Sequence, residues 1–145
     1  MDDARRPRGL LDTSVVIDLD RLEPKSLPLE WAISAVTMAE LAVGPHATSD
    51  PLERARRQDQ WQRAEATFDA IPVDTAVARA YGQIYAAVQA AGRKARGRRA
   101  FDLLIAATAL AAHLPLYTRN IAEFTDLASL IEVFAAEERD SPGES

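Results

Sequence analysis

Three acidic residues stand in stretches of sequence that are otherwise apolar. Asp12 follows the run Gly-Leu-Leu at residues 9–11, Glu40 lies among Met, Ala, Leu and Val, and Asp102 precedes Leu-Leu-Ile. A carboxylate in a buried segment is costly unless it meets a cation, a hydrogen-bond donor or a proton. One divalent metal ion bound by all three acids would meet this need. The setting of these residues therefore predicts a metal site.

The ligand chemistry favours a hard cation. Carboxylates about 4 Å apart repel each other by roughly 4 kcal/mol per pair at an effective dielectric constant of about 20, so a cluster of three needs a positive counter-charge. The chain has no cysteine and only two histidines, His46 and His113. Oxygen ligands without sulfur or imidazole select Mg²⁺ or Mn²⁺ rather than zinc. We expect Mg²⁺, with Mn²⁺ as a possible substitute.

Each acid also has a purely structural interpretation. Asp12 and Asp102 could cap or open a helix, where a negative charge gains about 0.3–1 kcal/mol from the helix dipole. Glu40 could be an exposed residue on a two-faced helix. These interpretations hold for each acid singly, whereas the coincidence of three favours a shared site.

Short apolar runs alternate with helical patterns along the chain. The runs predict strands at residues 9–13, 31–33, 71–73, 114–118 and 130–134. The helical patterns cover residues 14–22, 35–43, 52–70, 74–91 and 100–112. This alternation predicts an α/β fold with a mainly parallel sheet of roughly five strands. Ligands of such sheets bind at the carboxyl ends of the strands, where Asp12 and Asn120 would lie.

A basic segment precedes Asp102. The net charge of −5 argues against a general nucleic-acid binder, whose affinity comes mainly from neutralising phosphates. Between positions 93 and 99, however, five of seven residues are cationic: Arg93, Lys94, Arg96, Arg98 and Arg99. The segment could be a solvated loop, but its place beside the acids favours phosphate binding.

Length and composition indicate one domain over residues 1–145, with loose tails at 1–8 and 137–145. The absence of cysteine fits a reducing compartment. The N-terminal residues lack the apolar core of a signal peptide, and the most apolar stretch, residues 103–112, is about half a membrane span. We therefore expect a soluble cytoplasmic protein without a membrane partner.

Four segments of the chain resemble, in order and setting, the motifs of PIN-domain ribonucleases, and of VapC toxins in particular. They read LLDTS, SAVTMAEL, FDLLIAATA and YTRNIAEF, at residues 10–14, 34–41, 101–109 and 117–124. The resemblance runs from Leu10 to about Phe134. It implies a PIN-like α/β/α sandwich of three layers.

By position, the resemblance also implies the roles of individual residues. The acidic set becomes Asp12, Glu40 and Asp102 with Asn120 and Glu123, and Asp12 and Asp102 are the direct metal ligands. Four hydroxyl residues would orient carboxylates and waters: Thr13, Ser14, Thr37 and Thr118. The basic segment would hold RNA phosphates.

The function implied is Mg²⁺-dependent hydrolysis of RNA, by the toxin of a VapBC-type toxin–antitoxin pair. The substrate would be a structured loop of transfer or ribosomal RNA, recognised by shape. The resemblance further implies a homodimer and a VapB-type antitoxin that covers the cleft, with an arginine directed at the carboxylates.

Three other interpretations remain open at this point. The chain could be a catalytically inactive module of the same fold that binds a protein partner, with Trp61 and Phe68 as anchors rather than core residues. A phosphorylated receiver-like domain would normally need a lysine where Arg119 stands. A histidine-based ribonuclease would need both His46 and His113 as acid and base.

Overall fold

The computed structural model describes residues 5–93 and 98–140, and of Arg98 it describes the backbone. Four strands form one sheet: β1 (Arg8–Leu11), β2 (Glu30–Ala32), β3 (Leu116–Thr118) and β4 (Val133–Ala135). The helices are α1 (Thr13–Ile17), α2 (Ala35–Val43), α3 (Pro51–Thr67), α4 (Thr75–Ala90) and α5 (Arg98–Ala112). The strand order is β2-β1-β3-β4 and every pair is parallel. The predicted α/β fold with a parallel sheet is confirmed.

The sheet separates two apolar cores, because successive side chains of a strand point to opposite faces. Leu10 and Leu116 belong to one core, whereas Leu11 and Tyr117 belong to the other. The first core is closed by α4 and α5, and the second by α1, α2 and α3. The chain therefore has three layers, with the sheet in the middle.

Helices α4 and α5 pack closely because their facing surfaces combine small and branched residues. Helix α4 buries Val77, Ala80, Ile84 and Val88, a spacing of three and four residues. Helix α5 is buried over most of its surface, including the alanines at 106, 107 and 109. This packing fixes the N-terminal part of α5, which carries Asp102.

In the second core, the aromatic residues of the long helix and its end are packed rather than free. Trp61 and Phe68 are both partly buried against the cluster that includes Leu41 and Ala64. They act as core residues, which removes the main sequence feature that favoured a partner-binding module.

Several boundaries differ from the sequence prediction, and three of the differences change the description of an element. The predicted strand at 71–73 is a single bridge from Ile71 to Ser34, so the sheet has four strands among the described residues. Helix α1 ends at Ile17, where the Asp18 N–H caps it, and a 3₁₀ turn follows at Leu19–Arg21. Helix α5 begins at Arg98, inside the segment predicted to be a loop.

The described ends of the chain are attached to the fold rather than loose. Arg8 opens β1, and Nε of Arg5 donates to the carbonyl of Leu27 at 2.9 Å. At the other end, Glu138 forms an antiparallel bridge with Leu22. No helix in the described part of the chain is long and apolar enough to cross a membrane.

Candidate active site at the carboxyl edge of the sheet

Asp12 lies directly after β1 and caps α1. Its Oδ1 accepts hydrogen bonds from the Ser14 hydroxyl and, at 3.3 Å, from the Val15 N–H. Its own N–H donates to the carbonyl of Tyr117 on β3 at 3.0 Å. The side chain is 6% exposed, and this burial raises its pKa. The capping interpretation of Asp12 is thus correct.

Glu40 is positioned by α2 and by two threonines. The helix begins after Ser34, whose hydroxyl accepts from the Val36 N–H at 3.0 Å. The Thr13 hydroxyl donates to Oε1 of Glu40 and lies 2.9 Å from the Thr37 hydroxyl. Because a hydroxyl has one proton, Thr37 must donate to Thr13. This relay fixes the Glu40 carboxylate toward Asp12 and its helix.

The pKa of Asp102 indicates that the acids lie close together. Its pKa is raised to about 6, first by burial and then by the negative charges of Glu123, Asp12 and Glu40. Such repulsion is effective only between groups that lie close together. The structure therefore brings residues from α1, α2, α5 and the segment after β3 to one place.

The segment after β3 contributes an amide and a further carboxylate. Nδ2 of Asn120 donates to Oε1 of Glu123 at 2.9 Å, and the Asn120 N–H donates to the Thr118 hydroxyl at 3.1 Å. A hydrogen bond from Thr118 also lowers the pKa of Asp12, against the larger effect of burial. Asn120 and Glu123 thus enter the site as a hydrogen-bonded pair.

The five cations predicted to bind RNA do not act as one group. Arg99 lies beside the acids: its guanidinium is 3.9 Å from Oε2 of Glu123, 5.8 Å from the centre of the Phe124 ring, and lowers the pKa of Asp102. Arg93 instead pairs with Asp126 at 3.5 Å. Lys94, Arg96 and the side chain of Arg98 lie outside the described residues.

Arg99 has unused donor capacity. Within the described residues, neither Nη1 nor Nη2 makes a hydrogen bond, although both atoms are buried. A buried guanidinium without hydrogen-bond partners is costly, so an anionic oxygen placed between Arg99 and the acids would be bound favourably.

The donors suit a hard divalent cation. They are carboxylate and amide oxygens, and among the described groups that act on Asp102 only Arg99 offsets the negative charges. In the described ranges, no three His, Asp or Glu side chains are grouped so that they could already hold a metal ion. The acids influence one another's charge without forming a closed cage.

The other two chemical interpretations lack the required geometry. His113 directly follows the last residue of α5, roughly 16 Å from Asp102 along the helix axis at 1.5 Å per residue, and neither histidine is among the groups that act on the pKa of Asp102. Arg119 pairs with Asp18 at 3.3 Å and Glu138 at 3.2 Å, so it does not take the place of a receiver lysine beside Asp12.

One residue at this edge was missed by the sequence analysis. Phe101 precedes Asp102 and has half of its surface exposed, with its ring in a shallow apolar cleft next to Glu40. Its signal in the sequence was an aromatic residue adjacent to an acid on the first turn of a helix.

Comparison with known proteins agrees with this arrangement. The family model for the PIN domain matches residues 9–130. The chain is similar to Ribonuclease VapC4 of Mycobacterium tuberculosis, with 34% identity over 116 residues that cover 78% of this chain and 86% of that protein. It is also similar to Ribonuclease VapC8 of the same organism, with 40% identity over 102 residues that cover 70% and 89% of the two chains.

Among solved structures, the chain resembles one from VapBC-5, a member of the VapBC family of toxin–antitoxin systems from M. tuberculosis. The TM-score is 0.77 at 33% identity, over 90% of this chain and 98% of that one. The chain therefore belongs to the PIN-domain family, as a VapC-type member.

Proposed function

We propose that this protein is a metal-dependent endoribonuclease and the toxin of a VapBC-type pair. The observation that carries the proposal is the convergence of Asp12, Glu40, Asp102 and Glu123, each of the other three raising the pKa of Asp102. Four carboxylates near the carboxyl edge of a parallel sheet repel one another, and a bound cation would offset that cost. The relatives named above are ribonucleases, which supports RNA as the substrate.

In this proposal Asp12 and Asp102 hold Mg²⁺, and Mn²⁺ can replace it. The ion supplies Lewis acidity, which offsets charge on the phosphate and makes water a better nucleophile. Glu40, fixed by the Thr37–Thr13 relay, orients the attacking water or accepts its proton. Asn120 keeps Glu123 directed toward the site, where Glu123 is a supplementary carboxylate.

Arg99 and the basic segment bind the phosphates of the RNA. Arg99 faces the scissile phosphate because its buried donors point toward the acids. Arg93, Lys94, Arg96 and Arg98 would contact flanking phosphates. With so few groups available to read base sequence, selection of a structured loop in transfer or ribosomal RNA is the natural mode. Cutting such an RNA in the cytoplasm would inhibit translation.

The proposed partners are a VapB-type antitoxin and a second copy of the chain. The solved chain that matches at 33% identity belongs to a VapBC toxin–antitoxin system. An antitoxin arginine directed into this edge would neutralise the same carboxylates that bind the metal, which explains inhibition by simple competition.

The proposal is tested by RNA cleavage with the purified protein. We expect cleavage with Mg²⁺, none with EDTA, and none for the Asp12→Asn and Asp102→Asn variants, which keep the fold because Asn preserves the shape of the side chain. Mapping the new 5′ ends in cellular RNA after induction would identify the target. Cleavage that persists in both variants would remove this site assignment.

The toxin role has a separate test. Induction of the wild-type chain should slow growth, whereas the Asp12→Asn variant should not, and co-expression of the short reading frame next to the gene should restore growth. Normal growth with an active nuclease would reject the toxin role but leave the enzyme in place.

A further inference from the structure

A shallow cleft adjoins the acidic edge on the side of α2. It has a volume of about 300 Å³ and is lined by Val36, Ala39, Glu40, Val43 and Phe101. Val43 is 59% exposed and Phe101 is 50% exposed, so both present apolar surface to solvent. The cleft lies at the small end of the range for ligand sites, which is about 300–1,000 Å³.

The chemistry of the described lining favours a flat, weakly polar ligand over phosphate. Among the described residues that line the cleft, Glu40 is the only charged one, and it is negative. A phosphate would be repelled there, whereas the amino edge of a nucleobase could donate a hydrogen bond to the carboxylate. The exposed ring of Phe101 offers the face on which a base can stack.

The cleft is continuous with the acidic edge. Glu40 lines the cleft and also acts on Asp102, while Phe101 is the residue immediately before Asp102 on α5. A nucleotide whose phosphate lies at Asp102 therefore places a neighbouring base within reach of the Phe101 ring. Stacking there requires that the base be unpaired and turned out of any helix.

We propose that Phe101 and the apolar wall of α2 form a subsite for one unpaired nucleobase next to the bond that is cut. The subsite rests on the proposed ribonuclease function and adds to it. It makes cleavage depend on an extruded base and so restricts the enzyme to loops and single strands.

The subsite is tested by RNA binding in the Asp12→Asn background, where no cleavage occurs. We expect Phe101→Ala to weaken binding of a single-stranded target RNA by about 5- to 150-fold, the usual effect of one lost stack. The Phe101→Trp variant should bind the RNA as tightly as the protein with Phe101, since tryptophan also has an aromatic face. Tyr85→Ala is the matched control, because Tyr85 is an exposed aromatic residue of α4 outside the cleft.

An abasic substrate identifies the base itself. Once the cut is mapped, an abasic nucleotide is placed in turn at each position beside it. With the abasic nucleotide at one of these positions, the RNA affinity of the protein that keeps Phe101 should fall by the same factor as Phe101→Ala causes with intact RNA. Combining the abasic nucleotide with Phe101→Ala should cause no further loss of affinity. Additive losses at every position, or equal binding by Phe101→Ala and wild type, would overturn the subsite.

Two further results separate this inference from its alternatives. If Phe101→Ala turns a dimer into a monomer in sedimentation, the cleft is an interface between copies and the subsite is rejected. If the wild-type chain neither binds nor cuts RNA, the proposed function itself fails. If the wild-type enzyme cuts RNA and Phe101→Ala binds RNA as tightly as the protein with Phe101, the subsite is rejected and the proposed function is kept.

Discussion

The hydroxyl of Thr13 joins two helices by donating a hydrogen bond to Oε1 of Glu40 while accepting one from the Thr37 hydroxyl. Thr13 opens α1 and Glu40 lies on α2, so this short relay sets the position of one acid relative to the Asp12 side of the site. Thr37 is fully buried, and its hydroxyl has no role in apolar packing.

Thr37→Val should reduce RNA cleavage roughly 10- to 100-fold, the usual effect of losing a group that orients an active-site ligand. Valine has nearly the same shape, so the loss of stability should be small. Steady-state cleavage and thermal unfolding measure the two effects. Thr108→Val is the control, because that buried hydroxyl donates to the Leu104 carbonyl at 2.9 Å and its other partner, at 3.4 Å, is the Ser34 hydroxyl rather than Thr13 or Glu40. Equal loss of activity in both variants would contradict a specific role for the relay.

Asp102→Asn should abolish cleavage and at the same time raise the unfolding temperature of the metal-free protein at neutral pH. The carboxyl group has a raised pKa because its ionised form is buried and lies beside three other negative charges. Replacing it by a neutral amide removes that repulsion. Calorimetry with EDTA present measures the change, and a lower unfolding temperature would show that Asp102 stabilises the fold.

Stability and metal binding should depend on pH in opposite directions. The folded pKa of Asp102, about 6, lies above its ordinary value of 3.8, so the folded protein holds a proton that the unfolded chain has released between these values. The stabilisation is present below pH 3.8 and is lost as the pH rises through about 6. Metal-free unfolding temperatures should therefore fall over this window, and the fall should be smaller in Asp102→Asn, where the raised pKa of Asp12 still contributes.

Mg²⁺ affinity should rise over the same window, because the cation needs the ionised carboxylate. Titration calorimetry at pH 6 in two buffers of different ionisation enthalpy should show proton release on binding. The cleavage rate should increase with pH through about 6 and then level off. A rate that is flat from pH 5 to 8 would argue against Asp102 as a metal ligand.

Arg99→Ala should weaken RNA binding and reduce the slope of log affinity against log salt by about 1, as expected for one lost phosphate contact. Arg99→Lys should restore only part of the affinity, because lysine lacks the planar fork. Arg63→Ala is the matched control: it also removes one positive charge, but Arg63 is exposed on α3 and pairs with Asp59 at 2.9 Å. Identical salt slopes for the Ala variants would remove Arg99 from the RNA contact.

Gly9→Ala should destabilise the protein by about 1–3 kcal/mol, the usual cost of overpacking. A Cβ at this position of β1 would lie 2.8 Å from Cδ1 of Tyr117 and 2.9 Å from Cγ of Pro28. Gly82→Ala provides the opposite case, since a Cβ there meets no atom within 4 Å and α4 gains about 0.5–1 kcal/mol of helix propensity. Chemical denaturation of the two variants compares them directly.

Local signals in the sequence were sufficient for some elements and not for others. Helix α2 has the predicted bounds because the Ser34 cap and the Gly44-Pro45 stop act within a few residues. Ile71 looked like a strand residue, yet its N–H and carbonyl bond only to Ile33 and Ala35, which leaves a single bridge. Whether an apolar run becomes a strand depends on its distant partners, which the sequence does not display.

The same difference between local signals and distant contacts applies to the site. The acids could be identified by type and setting, since a carboxylate in an apolar segment stands out. The different positions of Arg93 and Arg99 could not be predicted, because they depend on contacts with Asp126 and with Phe124 that come from elsewhere in the chain. Phe101 was missed because exposure, rather than residue type, distinguishes it from a core phenylalanine.

The parallel sheet also determines when this protein can become active during its synthesis. β1 pairs Leu10 with Leu116, and the acids at 12 and 40 meet those at 102 and 123 only after nearly the whole chain has been translated. Pairing across such long sequence separations slows folding, because loop-closure entropy is lost before contacts form. A nascent chain that ends before α5 carries half of the acidic edge and no β3 to support Asp12.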